Sequence, residues 1–121
     1  MISLKAQVLN ALKANAQLAS LLGGARIYFQ VAPDAKQFPC ITFFELTNTG
    51  AVFADDTEIA SDISLQIDVW SKGNTTDIAL EVDKTMKSLG FARDFATDLY
   101  EDDTGIYHKA LRYSTIVELE G

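Results

Sequence analysis

Few residues in this chain are of a type that does chemistry. His108 is the only histidine and Cys40 the only cysteine. A Ser/His/Asp arrangement would have to use His108, and no Gly-x-Ser-x-Gly elbow accompanies it. A thiol nucleophile needs thiolate character. Cys40 instead follows Pro39 at the start of an apolar run, where a small cysteine packs as an inert apolar group. One His and one Cys cannot build a Cys/His zinc site. Asp55-Asp56 and Asp102-Asp103 are adjacent acidic pairs, but neither has the spaced pattern of an EF-hand loop. Such pairs belong to solvated turns. Gly23-Gly24 is not followed by a Walker lysine, and no Gly-x-Gly-x-x-Gly occurs, so no phosphate cradle is implied. These residues point to no catalytic group, no metal and no cofactor; an acidic site around Asp98, Glu101 and Asp102 is the one enzymatic reading left open.

Binding chemistry is bounded by charge. Phe43, Phe44, Trp70 and Tyr107 are aromatics on which single-stranded bases could stack, but the formal net charge is -7, from 17 acidic against 10 basic side chains. The imbalance is uneven: residues 1–60 hold 4 basic and 5 acidic side chains, residues 61–121 hold 6 and 12. Such a surface repels phosphate backbones and anionic lipid. Phe43 and Phe44 therefore read as core. Trp70 stands on the polar parity of its strand, which marks it as a contact anchor or as a ring packed beneath a helix.

At 121 residues, 48% of them hydrophobic, the chain is expected to form one domain, 1–121, burying roughly two-thirds of its unfolded surface. A lone cysteine excludes an intramolecular disulfide, so no oxidising compartment is required. Lys5, Gln7, Asn10 and Lys13 interrupt the first apolar positions, unlike a signal peptide. No apolar run reaches membrane-spanning length. The expected location is the cytoplasm, or a host's cytoplasm.

The elements that must position these residues follow from periodicity. Leu4, Val8, Leu9 and Leu12 lie at helical spacing, with Ser3 as a cap. Leu18, Leu21 and Leu22 continue that helix for a short further turn, with Asn15 a possible cap between the two, until Gly23-Gly24 ends it. Arg26 to Tyr28 predicts a short strand, and Pro33 and Pro39 bracket a loop over 31–38. Residues 40–47 are rich in β-branched and aromatic side chains and predict a strand. Residues 48–62, less regular and carrying Asp55, Asp56 and Glu58, predict a long, partly exposed hairpin connection. Ile63, Leu65, Ile67 and Val69 alternate with polar residues, the period of a half-buried strand. A second helix is predicted over about 75–89, capped by Asn74 or Thr75, with Ile78, Val82, Met86 and Leu89 as its stripe. A hairpin of 91–101 and 106–119 closes the chain. The order is α-β-β-β-α-β-β. The expected class is α+β: a mostly antiparallel β-sheet with two helices packed on one face.

This ordered set resembles a known family. An Ala/Leu-rich helix ends in Leu21-Leu22-Gly23-Gly24. Arg26-Ile27-Tyr28 follows, then Val31-x-Pro33-x-Ala35 into Phe38-Pro39, and Val69-Trp70-Ser71 ends a strand just before the second helix. The chain is similar over nearly its whole length to the tail-completion proteins of long-tailed bacteriophages and prophages, also described as tail terminators or tail-to-head joining proteins. The resemblance implies a structural part, not an enzyme. It implies a homo-oligomeric ring, a hexamer on assembly, at the head-proximal end of the virion tail, with the tail tube protein and the head-connector protein as partners. DNA would pass through without specific binding, with no membrane involved. The interaction loop is expected at Asn48, Val52, Phe53, Asp55, Asp56 and Glu58, facing a partner or the lumen, with Trp70 as a contact anchor. The competing reading is a small α+β binding or regulatory domain unrelated to phage tails.

Overall fold

The computed structural model describes residues 1–33 and 37–118. Its elements are α1 (Lys5–Ala14), α2 (Ala16–Leu22), β1 (Ile27–Phe29), β2 (Cys40–Ala54), β3 (Thr57–Ser71), α3 (Thr76–Ser88), β4 (Ala92–Glu101) and β5 (Ile106–Glu118). Ala35, part of the predicted 31–38 loop, and Leu119, predicted to end the last strand, lie outside the described residues.

The first helical stretch is two helices, so the described residues carry three rather than the predicted two. Asn15 takes an extended conformation (φ -77°, ψ 103°) that breaks the helix, and its Oδ1 accepts a 3.0 Å bond from Leu18 N to start α2. Two orphan termini are thereby satisfied within one residue. Gly23 then closes α2 at φ +74°, a left-handed conformation that glycine adopts without a Cβ clash. The predicted Ser3 cap does not form; Leu4 occupies the N-cap of α1 without a side-chain bond. At α3, Thr75 is the N-cap residue, and Asn74 accepts from Thr76 N at 2.8 Å.

The five strands form one sheet in the order β1-β2-β3-β5-β4. All pairs are antiparallel except β1 with β2, which is parallel over three residues. The period-two run in β3 reads as expected: Ile63, Leu65, Ile67 and Val69 are buried against the helices. Register carries that face across the sheet, from Phe43 to Ile67 to Leu111 and from Leu65 to Tyr113. Val8, Leu12, Leu18, Leu22, Ile78, Val82 and Met86 supply the helical side of the same core. Each such fully buried aliphatic stabilises the fold by roughly 2 kcal/mol.

The expected irregular connection over 48–62 is instead ordered strand. β2 and β3 pair almost to the tip, and the turn is only Asp55-Asp56, at φ 51° and 63°. Two consecutive positive φ values are those of a type I′ turn, whose twist matches that of the flanking strands. Among the described residues β3 pairs with β5 as far as Ala60, opposite Glu118; the end of the β2–β3 hairpin around the turn is termed the arm.

Candidate interaction surfaces

Helices cover one sheet face. Three rows of side chains cross the other: Cys40–Trp70–His108–Leu99, Thr42–Asp68–Ala110–Thr97 and Phe44–Gln66–Arg112–Phe95. Their polar members form a connected chain. Trp70 Nε1 donates to Thr42 Oγ1 at 2.9 Å, and the indole stacks on His108 with centroids 3.8 Å apart and planes 12° from parallel. His108 Nε2 lies 2.7 Å from Asp68 Oδ1, so the ring nitrogen donates and the carboxylate accepts. Gln66 Nε2 donates to the same Asp68 oxygen at 2.9 Å, and Arg112 Nε donates to Gln66 Oε1 at 3.0 Å. The Arg112 guanidinium lies 4.8 Å from the centre of the Phe95 ring.

This His–Asp pair has the first two members of a hydrolytic relay, but among the described residues no Ser, Thr or Cys is hydrogen-bonded to His108 as a nucleophile would be. Burial pushes the Cys40 thiol above its ordinary value, and Arg26 only partly offsets this. The thiol is thus held protonated, as the inert reading of Cys40 requires. Among the described residues, no group of three His, Cys, Asp or Glu side chains is placed to hold a metal ion. Of the three carboxylates of the acidic-site reading, Asp98 pairs with Lys109 at 3.1 Å, Glu101 accepts from Thr104 at 3.0 Å and lines a cavity beside Trp70, and Asp102 is exposed.

Trp70 is partly buried. It is not packed beneath a helix, because its row lies on the uncovered face. Its ring helps wall an apolar cavity of about 310 Å³ together with Val31, Phe38, Cys40, Thr42 and Ile106.

The residues expected in an interaction loop divide into two groups. Asn48 and Glu58 are engaged within the chain. Asn48 Nδ2 donates to the Ile2 carbonyl at 2.7 Å, tying the root of the arm to the segment before α1. Glu58 accepts from Ser61 at 2.6 Å and lies 3.2 Å from the Met1 ammonium. These two contacts, the Ser61 bond foremost, hold its carboxyl below the usual range. Val52 and Phe53 are 46% and 60% exposed, and Asp55 and Asp56 form the exposed tip. The Phe53 ring lies over Gly50, where a Cβ would collide with it.

Two features of this surface escaped the sequence reading. β4 is an edge strand in which every residue is exposed, including Phe95, Leu99 and Tyr100. β2 is also an edge from Phe44 onward, since β1 covers only Ile41 to Phe43. The signal for β4 was present in the sequence: apolar residues fall on both parities of 95–100, as in a strand with neither face fully buried.

Among the described residues the sheet has two exposed edges, a long hairpin and exposed apolar side chains, features suited to a structural protein that works by surface contact. The sequence matches the family model described as "Tail completion protein gp17" over residues 6–118, and the chain belongs to that family. Its role is accordingly structural, in completing the tail of a phage or prophage. Among curated proteins, none matches. Among solved structures, a chain from the "Virion of native gene transfer agent (GTA) particle" has the same fold, with a TM-score of 0.71 and 18% identity, covering 97% of this chain and 96% of that one.

Proposed function

We propose that the chain forms a ring, hexameric on assembly, at the head-proximal end of the tail. There it stops growth of the tail tube and joins the tube to the head connector. The match to the tail-completion family across residues 6–118 carries this reading. The two free sheet edges support it. A cyclic ring uses head-to-tail interfaces, so each subunit must offer two different patches, and unpaired strands are ready to accept a neighbour. β4 and the part of β2 at the root of the arm, from Phe44 to Gly50, lie on opposite sides of the sheet, as such an arrangement needs. The net charge of -7 suits a ring through which DNA slides without sticking. In this reading the arm and Trp70 are contact elements, and assembly takes place in the host cytoplasm.

Deleting the gene from the phage or prophage tests the proposal. Tails of uncontrolled length and heads without tails are expected, and expression of the chain from a plasmid should restore joined virions. Joined tails of normal length in the deletion would overturn it.

A further inference from the structure

We infer that the β2–β3 arm docks on a basic partner protein of the virion, and neither joins neighbouring copies of this chain nor lines the DNA channel; the inference rests on the tail-joining reading above. From Asn48 to Asp62 the chain carries four carboxylates, Asp55, Asp56, Glu58 and Asp62, and no Lys or Arg, with the Met1 ammonium against Glu58 the one cation placed there among the described residues; the adjoining 113–118 of β5 adds Glu118 and no Lys or Arg. Within this acidic end, Val52, Phe53, Ile59 and Ile116 are 46%, 60%, 38% and 63% exposed. Exposed apolar residues grouped together, among charges predominantly of one sign, mark a protein contact.

A second copy of the chain is poorly suited to answer that charge. It carries the same net charge of -7 and repels that end as a whole, and four of its described cations, Lys84, Lys87, Arg93 and Lys109, each lie within 3.3 Å of a carboxylate of their own chain. Lys5 sits over the Phe29 ring and Arg112 over Phe95. Lining a water-filled DNA channel would leave the four apolar side chains wet, so that position does not account for them. The fitting occupant is a protein surface with Lys or Arg around an apolar pocket. Phe53 is the anchor for that pocket, and the tip carboxylates steer the approach. The turn at Asp55-Asp56 and the pairing behind it hold the tip in place before contact, which lowers the ordering cost of binding.

The test uses the purified chain against two probes, the purified head-connector protein and the purified tail-tube protein of the same phage. Wild type should bind one of them, with affinity falling about tenfold or more between about 50 mM and about 500 mM salt. Asp55→Asn with Asp56→Asn keeps residues that tolerate the left-handed turn; it should lower affinity about tenfold and flatten the salt dependence. Phe53→Ser should weaken binding by a similar factor, with the circular dichroism spectrum unchanged. Arm variants that bind like wild type would overturn the inference. So would variants that lose ring formation while keeping partner binding. If wild type binds neither probe, the tail-joining reading fails as well, and that failure shows before any arm substitution is made.

Discussion

The Tyr113 hydroxyl on β5 donates a 2.9 Å hydrogen bond to Asp83 Oδ1 on α3, joining helix to sheet inside the core. Asp83 also receives Lys87 at 2.9 Å and Arg93, from β4, at 3.3 Å. One carboxylate thus holds three elements together. Burial alone would raise its pKa, but the bonds from Lys87 and Tyr113 and the Arg93 charge outweigh that and hold it below its ordinary 3.8. Burial first, then Asp83, pushes the Tyr113 phenol far above its ordinary value.

Replacing Asp83 separates these contributions. Asp83→Ala leaves a buried phenol without its acceptor and should cost about 3 kcal/mol, whereas Asp83→Asn keeps an acceptor and should cost about 1 kcal/mol. A carboxyl whose folded pKa is depressed stabilises fully above its unfolded value and loses that contribution as pH falls through the folded one. The stability gap between wild type and Asp83→Asn should therefore be complete at neutral pH and close below about pH 4. Urea melts at pH 7 and pH 3 measure it; a gap of equal size at both would refute the assignment.

Asn15 also joins elements distant in sequence. Beyond capping α2, its Nδ2 donates to Thr85 Oγ1 at 3.0 Å, which links the α1–α2 junction to α3. Asn15→Ala should destabilise by about 1.5 kcal/mol, and Asn15→Asp, which keeps the cap but not the donor, by less. Thermal melts of the two variants rank them; equal losses would show that the cap contributes little.

How much of this was legible in the sequence depended on whether periodicity was intact. Ile63 to Val69 alternate without interruption, so that strand and its buried face were readable. The arm was not, because pairing skips at Leu46, Ala51 and Ile59. Each skip shifts side chains to the other face and erases the period-two signature over 46–59. The His108–Asp68 pair was hidden for another reason. It spans 40 residues and exists because β5 pairs with β3 while β4 is left at the edge, an order that local pattern does not specify. Trp70 was visible as an aromatic on a polar face, but its stacking partner depends on that same strand order. β1, three residues long, pairs in parallel with β2, below the length at which periodicity distinguishes anything.

Trp70 is the only tryptophan, so its fluorescence reports the uncovered face alone. With one face stacked on His108 and its nitrogen bonded to Thr42, the isolated chain should show intermediate acrylamide quenching, which should fall if the proposed ring assembles over it. His108→Ala should red-shift the emission by wetting the indole face. Thr42→Val should cost about 1 kcal/mol through the orphaned indole donor. A fully shielded indole in the isolated chain would exclude a contact role for Trp70.

The β4 edge gives the sharpest test of the proposed ring. If a neighbouring copy adds to this strand, charge placed on its exposed side chains should block assembly without disturbing the fold, because lysines on edge strands prevent strand addition. Thr97 and Leu99 both face the uncovered side and are exposed, so Thr97→Lys with Leu99→Lys removes little packing. Stability should change by no more than about 0.5 kcal/mol for each site. Where sedimentation shows the proposed ring for wild type, the double variant should sediment as monomer. Rings that persist in the double variant would move the subunit interface away from β4. Loss of both fold and assembly would instead show that the edge is needed by the sheet itself, an outcome the full exposure of β4 argues against.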